Sequence, residues 1–330
     1  MRESPTTDLH VSIYAQLIVL QLGSCIALRD ANQRKAEKIV VLAVMLVFLN
    51  SVTSQLFTDH SLSCRLERAE AVANARFVEA RARVIPESGA EWIEVAGAYA
   101  MYEGPRSPCT QTFGLGLFQA PTSSEMCNLE LFFQQRGAPV FHEVSPLAGK
   151  ALLPLLHARG YKAVELSNVM FMSLRERNSP GAHNETLRVR TVRADESELW
   201  ADTAAEGWRE FGQFADLIRE LMIVSANRDD GACFLVESDG KPIATGCLAI
   251  HDGVALFAGA STVPEWRRRG AQQMLFQSRC QYALDAGCDL AMVCAEPGSS
   301  SQRNAERNGF RVAYTRTKWE LSRGSDSESF

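Results

Sequence analysis

None of the nine cysteines stands in a C-x-x-C pair, and the six histidines offer no pair at metal-ligand spacing. The usual structural zinc frameworks are thereby excluded, and no metal is expected. Several cysteines lie inside apolar runs, as Cys247 does in residues 244–250, and read as buried free thiols of a reducing compartment rather than as disulfides. A basic excess is missing too. Lys and Arg number 34 against 39 Asp and Glu, a net charge of -5 that argues against a general nucleic-acid binder. Also absent is a clean apolar run of the ~20 residues that a membrane-spanning helix needs. Residues 11–28 are uncharged but diluted by Ser12, Gln16, Gln21 and Ser24, and the apolar run 39–49 is too short. That run has a basic flank, as a signal peptide does, but starts far from Met1 and lacks a clear cleavage site. Membrane attachment is the weaker reading. Residues 1–62 read as an irregular leader, or as the result of a start codon placed too far upstream, and the chain is expected to be cytoplasmic.

What is present suits two ordinary domains: 330 residues, 46% hydrophobic and 22% charged. From residue 63 the pattern turns periodic. Leu66, Ala69, Ala73, Phe77 and Ala80 recur at helical steps and stop before Pro86. Strands are expected over 91–102 and 111–118, a helix over 123–135, a strand over 139–144, a helix over 149–159 and a strand over 162–174. A polar stretch containing Pro180 and Gly181, residues 175–186, reads as a linker. The second half, 187–321, is expected to run strand, two helices, three strands joined by short turns with Asp-Gly, helix, strand, helix and strand. Residues 322–330 form a polar tail, expected to be disordered. The fold class is thus α/β, with α and β elements sharing a mixed sheet.

The two halves end alike. Gly160-Tyr161 and Gly309-Phe310 each lead from a helix into a strand, 149 residues apart. In both places the glycine suits a left-handed helix cap and the aromatic can fold back on its helix. With the matching order of elements before them, this points to a duplicated fold.

The chemistry sits in residues 258–273. A strand ends, Pro264 stops it, and Arg267-Arg268-Arg269-Gly270-Ala271 opens a helix. Such a loop aims successive backbone N–H groups at one point, and the helix dipole adds positive potential there, which is what a pyrophosphate requires. Gly270 lets the backbone approach phosphates, and the arginines add charge at the rim. A bare run of three arginines would read as a solvated basic turn. Its setting changes that reading.

The stretch "STVPEWRRRGAQ", followed by "AGCDLAMV" and "PGSSSQRNAERNGF", resembles the GNAT acyltransferase superfamily over roughly residues 187–321. The family loop has the pattern Arg/Gln-x-x-Gly-x-Gly/Ala; Arg267, Gly270 and Ala271 sit in it, but Gln272 takes the last Gly/Ala place. Residues 63–174 look like a degenerate second copy, with Gln119 to Ser124 in place of the loop and no arginine there, so tandem GNAT-like acyl-CoA N-acyltransferase domains are expected.

The resemblance implies an acetyltransferase that moves an acetyl group from acetyl-CoA to an amine of a small molecule or peptide by direct attack. The coenzyme's binding residues would be Ala260 and Thr262 on the fourth strand, Arg267, Arg268, Arg269, Gly270, Ala271 and Gln272 in the loop, and Ser301 and Asn304 on the later helix, which Ser301 is expected to cap. Many family members carry a tyrosine that protonates the departing thiolate; here that position is Ala305. Glu296, just past a strand end, is the candidate base. Cys294 is expected in the core, since direct transfer needs no thiol nucleophile. A catalytically silent acetyl-CoA-binding regulatory module is the competing reading, and neither the acceptor nor the oligomeric state is legible.

Overall fold

The computed structural model describes residues 56–175 and 184–322. Expectations for residues 1–55 of the leader, the middle of the linker and the tail fall outside the described residues, while residues 60–62, expected in the leader, already belong to the first helix. Helix α1 (His60–Val84) opens on Asp59, whose carboxylate accepts from the Leu62 amide at 2.8 Å, and ends at Ile85 before Pro86. Its expected apolar face is buried, and so is a second face. Ala71, Ala75 and Val78 pack on Met101 and Phe113, while Phe77 and Ala80 meet Leu221 and Val224. A helix covered on two sides carries apolar and small residues around most of its circumference, as this one does.

The first half continues as β1 (Glu91–Val95), β2 (Ala98–Tyr102), β3 (Gln111–Phe113), α2 (Ser123–Gln134), β4 (Phe141–Val144), α3 (Leu152–Ala158) and β5 (Tyr161–Ser173). Residues 91–102 are therefore a hairpin rather than one strand. Ala96 and Gly97, both at positive φ, make its two-residue turn. The strand expected over 111–118 stops at Phe113, where Gly114 and Gly116 turn the chain. The second half runs β6 (Leu187–Thr191), α4 (Ser197–Glu206), α5 (Ala215–Ala226), β7 (Gly231–Ser238), β8 (Lys241–His251), β9 (Val254–Thr262), α6 (Ala271–Asp285), β10 (Leu290–Ala295), α7 (Ser300–Arg307) and β11 (Arg311–Leu321). From β1 and from β7 onward the two halves share one order: three strands, helix, strand, helix, strand. In both, the strands flanking the first of these helices are parallel neighbours, β3 with β4 and β9 with β10. Gly160 and Gly309 have φ of 85° and 90°, the left-handed conformation that glycine adopts without strain.

All eleven strands form one sheet, in the order β1-β2-β3-β4-β11-β5-β10-β9-β8-β7-β6. The halves exchange their last strands. β11 pairs with β4 of the first half, and β5 pairs with β10 of the second. The exchanged strands also pair with each other, antiparallel, from Arg311↔Phe171 to Leu321↔Tyr161. The described residues from Thr58 onward accordingly cluster as one compact unit.

Separate apolar cores lie to either side of this seam. Phe257, Phe276 and Phe310 meet edge-on under α6 and α7, while Met126, Leu129, Phe133 and Leu156 fill the first half beneath α2 and α3. The seam itself is charged. Arg316 of β11 is 2% exposed and pairs with Glu70 at 2.5 Å, Glu67 at 3.4 Å and Glu143 at 3.5 Å. Tyr314 donates to Glu67 at 2.9 Å.

Burial pushes the Glu67 carboxyl up to about 7, against the opposing pull of Arg316, and pushes Glu103 up to about 7 beside Arg81. Burial also drives His142 down to about 3. Its Nε2 lies 2.8 Å from the Tyr161 hydroxyl, which itself donates to Glu130, so Nε2 carries the proton. The raised carboxyls bind protons more tightly in the folded chain, so their contribution falls as pH rises through their folded pKa of about 7. The depressed His142 works oppositely: its contribution is present above ~6.5, the unfolded value, and is lost as pH falls toward about 3. Thermal stability is thus expected to peak in mildly acidic buffer. In Glu67→Gln the fall on the alkaline side should be flatter in a series of melting curves; an unchanged fall would assign it elsewhere.

Candidate functional site

The site begins where the sheet splits. β9 and β10 pair only from Leu290↔Val254 to Met292↔Leu256. Beyond that, β10 follows β5 up to Ala295↔Asn168, while β9 follows β8 up to Ala244↔Thr262. A bulge assists the parting. The β8–β9 register jumps between Thr245↔Ser261 and Cys247↔Ala258, leaving Gly259 and Ala260 outside the ladder. Gly259 has φ of 59°, and a Cβ there would stand 2.9 Å from Cys247 Sγ and 3.2 Å from the Trp200 ring. Only glycine fits.

The gap opens into a cavity of about 430 Å³. Gln272, Phe276 and Arg279 of α6, with Ser301 and Asn304 of α7, line it on the side of the Phe257 core. Glu70 and Asn74 of α1, with Leu221 and Ser225 of α5, line it from across the sheet. A helix of the first half thus forms one wall.

At the mouth, Pro264–Trp266 makes a single 3-10 turn; Arg267 is extended and Arg268 left-handed at φ 63°. Gly270, at φ 89°, is the N-cap of α6, and no side chain caps that helix. Its first intrahelical bond runs from Met274 N to Gly270 O, at 3.1 Å. The preceding amides of the first turn are available to an anion, and a Cβ at Gly270 would meet no protein atom within 4 Å. The corresponding helix of the first half is closed. Thr122 and Glu125 cap α2 reciprocally, and the two hydrogen bonds from Thr122 hold the Glu125 carboxyl below its usual range.

The three arginines have different surroundings. Arg267 turns inward to Glu210 at 2.5 Å and to the Gly207 carbonyl at 2.9 Å, fastening the loop to the segment after α4. The Arg269 guanidinium lies over the Trp266 ring, 4.8 Å from its centroid. Arg268 is exposed and, among the described residues, makes no side-chain hydrogen bond or ion pair. The charge free to meet a phosphate is therefore Arg268, with Arg267 bracing the loop.

Ala260 stands on the bulge and lines the cavity, with Ser301 and Asn304 opposite. Thr262 is outside the cavity lining; its hydroxyl accepts from Gln272 Nε2 at 2.8 Å. Gln272 also donates to the Ser261 carbonyl at 2.9 Å, so its carboxamide occupies the free edge of β9. The helix cap expected at Ser301 belongs to Ser299, whose hydroxyl accepts from Gln302 N at 3.1 Å. Glu296 is exposed in the turn after β10 and is not among the cavity's lining residues, so the candidate base is not brought to the cavity. The carboxylate that lines it is Glu70, which carries no motif in the sequence. Glu70 holds Arg316 and accepts the Cys294 thiol at 3.3 Å. Burial drives that thiol well above its usual range, so it stays protonated and is no nucleophile. Ala305 is buried in the Phe310 core and brings no hydroxyl. Among the described residues, no three His, Cys, Asp or Glu side chains are grouped to hold a metal ion, and no helix is long and apolar enough to cross a membrane.

Residues 194–310 match the family model described as the acetyltransferase (GNAT) family. That stretch is a GNAT domain. The fold as a whole is similar to a GCN5-related N-acetyltransferase from Kribbella flavida, with a TM-score of 0.55 at 19% identity, covering 76% of this chain and 96% of that one. At that identity the likeness is one of fold. A tandem GNAT protein from the clavulanic acid biosynthesis pathway also matches, with a TM-score of 0.48 at 12% identity, over 68% of this chain and 74% of that one. No curated protein matches the chain.

The position of Gln272 carries a prediction. A ligand arm lying along the free edge of β9 must displace the carboxamide from Ser261 and Thr262, losing both hydrogen bonds. Gln272→Ala removes that competitor, and acetyl-CoA is expected to bind several-fold more tightly, by about 1 kcal/mol for the net hydrogen bonding released. Calorimetric titration of both proteins checks it. Weaker binding by the variant would make Gln272 a ligand contact rather than a competitor.

Proposed function

We propose that the chain transfers an acetyl group from acetyl-CoA to an amine of a small molecule or peptide by direct attack. The observation that carries the reading is the wedge between β9 and β10, with the uncapped start of α6 at its mouth. The residues present fit the coenzyme: first-turn amides, Gly270 and Arg268 suit a pyrophosphate, and the open edge of β9 at Ala260 suits an amide-bearing arm. Bound there, acetyl-CoA supplies an acyl group activated as a thioester.

The chain's own residues orient and polarise. Backbone amides at the Gly259–Ala260 bulge stand where a carbonyl oxygen entering the cavity can accept from them, the electrostatic assistance that acyl transfer draws on most. The apolar walls of α5 and α1 keep water from the acyl group, and the acceptor enters from their side. Glu70, held by Arg316, lines the side of the cavity from which an ammonium group would approach. No group at Ala305 protonates the departing thiolate, so that proton comes from solvent. The reduced cysteines of the described residues suit a reducing, cytoplasmic setting.

Ala305 also supports a second reading, a silent module that binds acetyl-CoA as a regulatory signal. Thiol release from acetyl-CoA against a panel of amines separates the two. Release above the amine-free rate with at least one amine is expected of the enzyme. Binding without release by any amine favours the silent module, and absence of binding overturns both.

A further inference from the structure

One charge in the cavity has no counterpart. Arg279, on the third turn of α6, is 5% exposed, yet no carboxylate pairs with it among the described residues. Nε reaches the Leu275 carbonyl at 3.4 Å, and Nη1 reaches the carbonyls of Cys247 at 3.4 Å and Ala258 at 3.5 Å. These are long bonds to neutral acceptors. Among the described residues, Nη2 makes no hydrogen bond. The guanidinium lies over the Phe257 ring, 4.6 Å from its centroid, and Gly246 leaves room for it, since a Cβ there would stand 3.3 Å from its Cζ. Burial pulls its pKa down only to about 10, so it remains a cation at neutral pH.

A desolvated guanidinium without an anion is costly, and proteins retain such groups where a ligand brings the charge. The other buried arginines already have partners: Arg316 has three glutamates and Arg228 has Asp230. Arg279 stands on the α6 side of the sheet, with Gln272, Ser301 and Asn304, not on the α1 and α5 side from which the acceptor enters. It touches the carbonyl of Ala258, the residue before the bulge where the proposed function puts the acyl carbonyl. An anion within its reach would thus sit at the far end of the acyl group.

We propose that, beyond acetyl, the same cleft takes a short dicarboxylic acyl group, malonyl or succinyl, whose free carboxylate pairs with Arg279. The inference rests on the coenzyme reading above. Transfer would break the thioester C–S bond and form an amide C–N bond, the amine's proton passing through solvent to the released thiolate. Arg279 takes no part in that exchange; it selects the acyl chain.

Calorimetric titration of the full chain with CoA, butyryl-CoA and succinyl-CoA tests it, the last two being matched in carbon number. Succinyl-CoA is expected to bind ~10-fold or more tighter than butyryl-CoA, as a buried charge-assisted bidentate contact gives. In Arg279→Gln that ratio should fall to near one. If CoA binds and the wild-type ratio is already near one, the inference fails while the coenzyme reading stands. A preference that survives Arg279→Gln also overturns it. If CoA itself does not bind, the reading beneath it fails. The wild-type ratio decides the matter even if the variant does not fold.

Discussion

Replacing Arg316 with methionine is expected to lower stability by about 3–5 kcal/mol, the range found when one partner of a buried ion pair is removed. Glu67, Glu70 and Glu143 converge on this one guanidinium, and Glu67 and Arg316 are almost wholly enclosed. Without it, three carboxylates remain in a region with little water, and each must ionise at high cost or bind a proton. Methionine fills the volume but answers none of that charge. The loss falls at the seam, because Arg316 lies on β11 and Glu67 and Glu70 on α1, so both halves should melt together. Adding Glu67→Gln and Glu70→Gln to Arg316→Met should recover part of the loss, since neutral amides need no cation. Urea unfolding followed by fluorescence checks this. A single variant within ~0.5 kcal/mol of wild type, the span of ordinary surface changes, would mean that the cluster contributes little.

Gly270→Val is expected to weaken acetyl-CoA binding by about 100-fold, whereas Arg268→Ala should cost only a few-fold. Two effects act together at Gly270. A β-branched residue resists the left-handed conformation that the loop adopts there, at a cost of roughly 1–3 kcal/mol, and strain of that size will shift the first-turn amides. The space beside its Cα is empty of protein, so an added side chain projects where a phosphate would lie. Arg268, by contrast, is one exposed charge that salt screens. Equal losses from both changes would mean that the loop attracts the ligand by net charge and does not cradle it.

Much of the second half could be read in the sequence because its signals are local. Its strands and helices follow one another in the order that periodicity, the Asp-Gly turns and Pro264 imply. The left-handed glycines at 160 and 309 followed from their helix-to-strand setting. The Ala96-Gly97 turn was missed because apolar residues continue on both sides of it, and a hairpin of two short strands then looks like one long strand. The strand exchange could not be read at all. β5 and β11 are both apolar and β-prone, and pairing across the seam leaves no local mark to tell it from pairing within each half. The roles of Glu67 and Glu70 were illegible for the same reason. They look like a solvated helix face until β11 brings Arg316 beneath them. Arg279 was hidden in the same way, since a lone arginine on a helix gives no sign that its partner will be a carbonyl rather than a carboxylate.

The exchange also bears on fragments. Residues 187–321 alone would lack β5, leaving β10 without a neighbour on one side and β11 without either of its own. The whole chain is thus the proper object of study. The most direct test of the account is a calorimetric titration of the whole chain with acetyl-CoA. It is expected to reveal one saturable site per chain, lost in Gly270→Val, because α6 starts uncapped at the wedge while Thr122 and Glu125 close α2. Two equivalent sites, or binding that survives Gly270→Val unchanged, would contradict it.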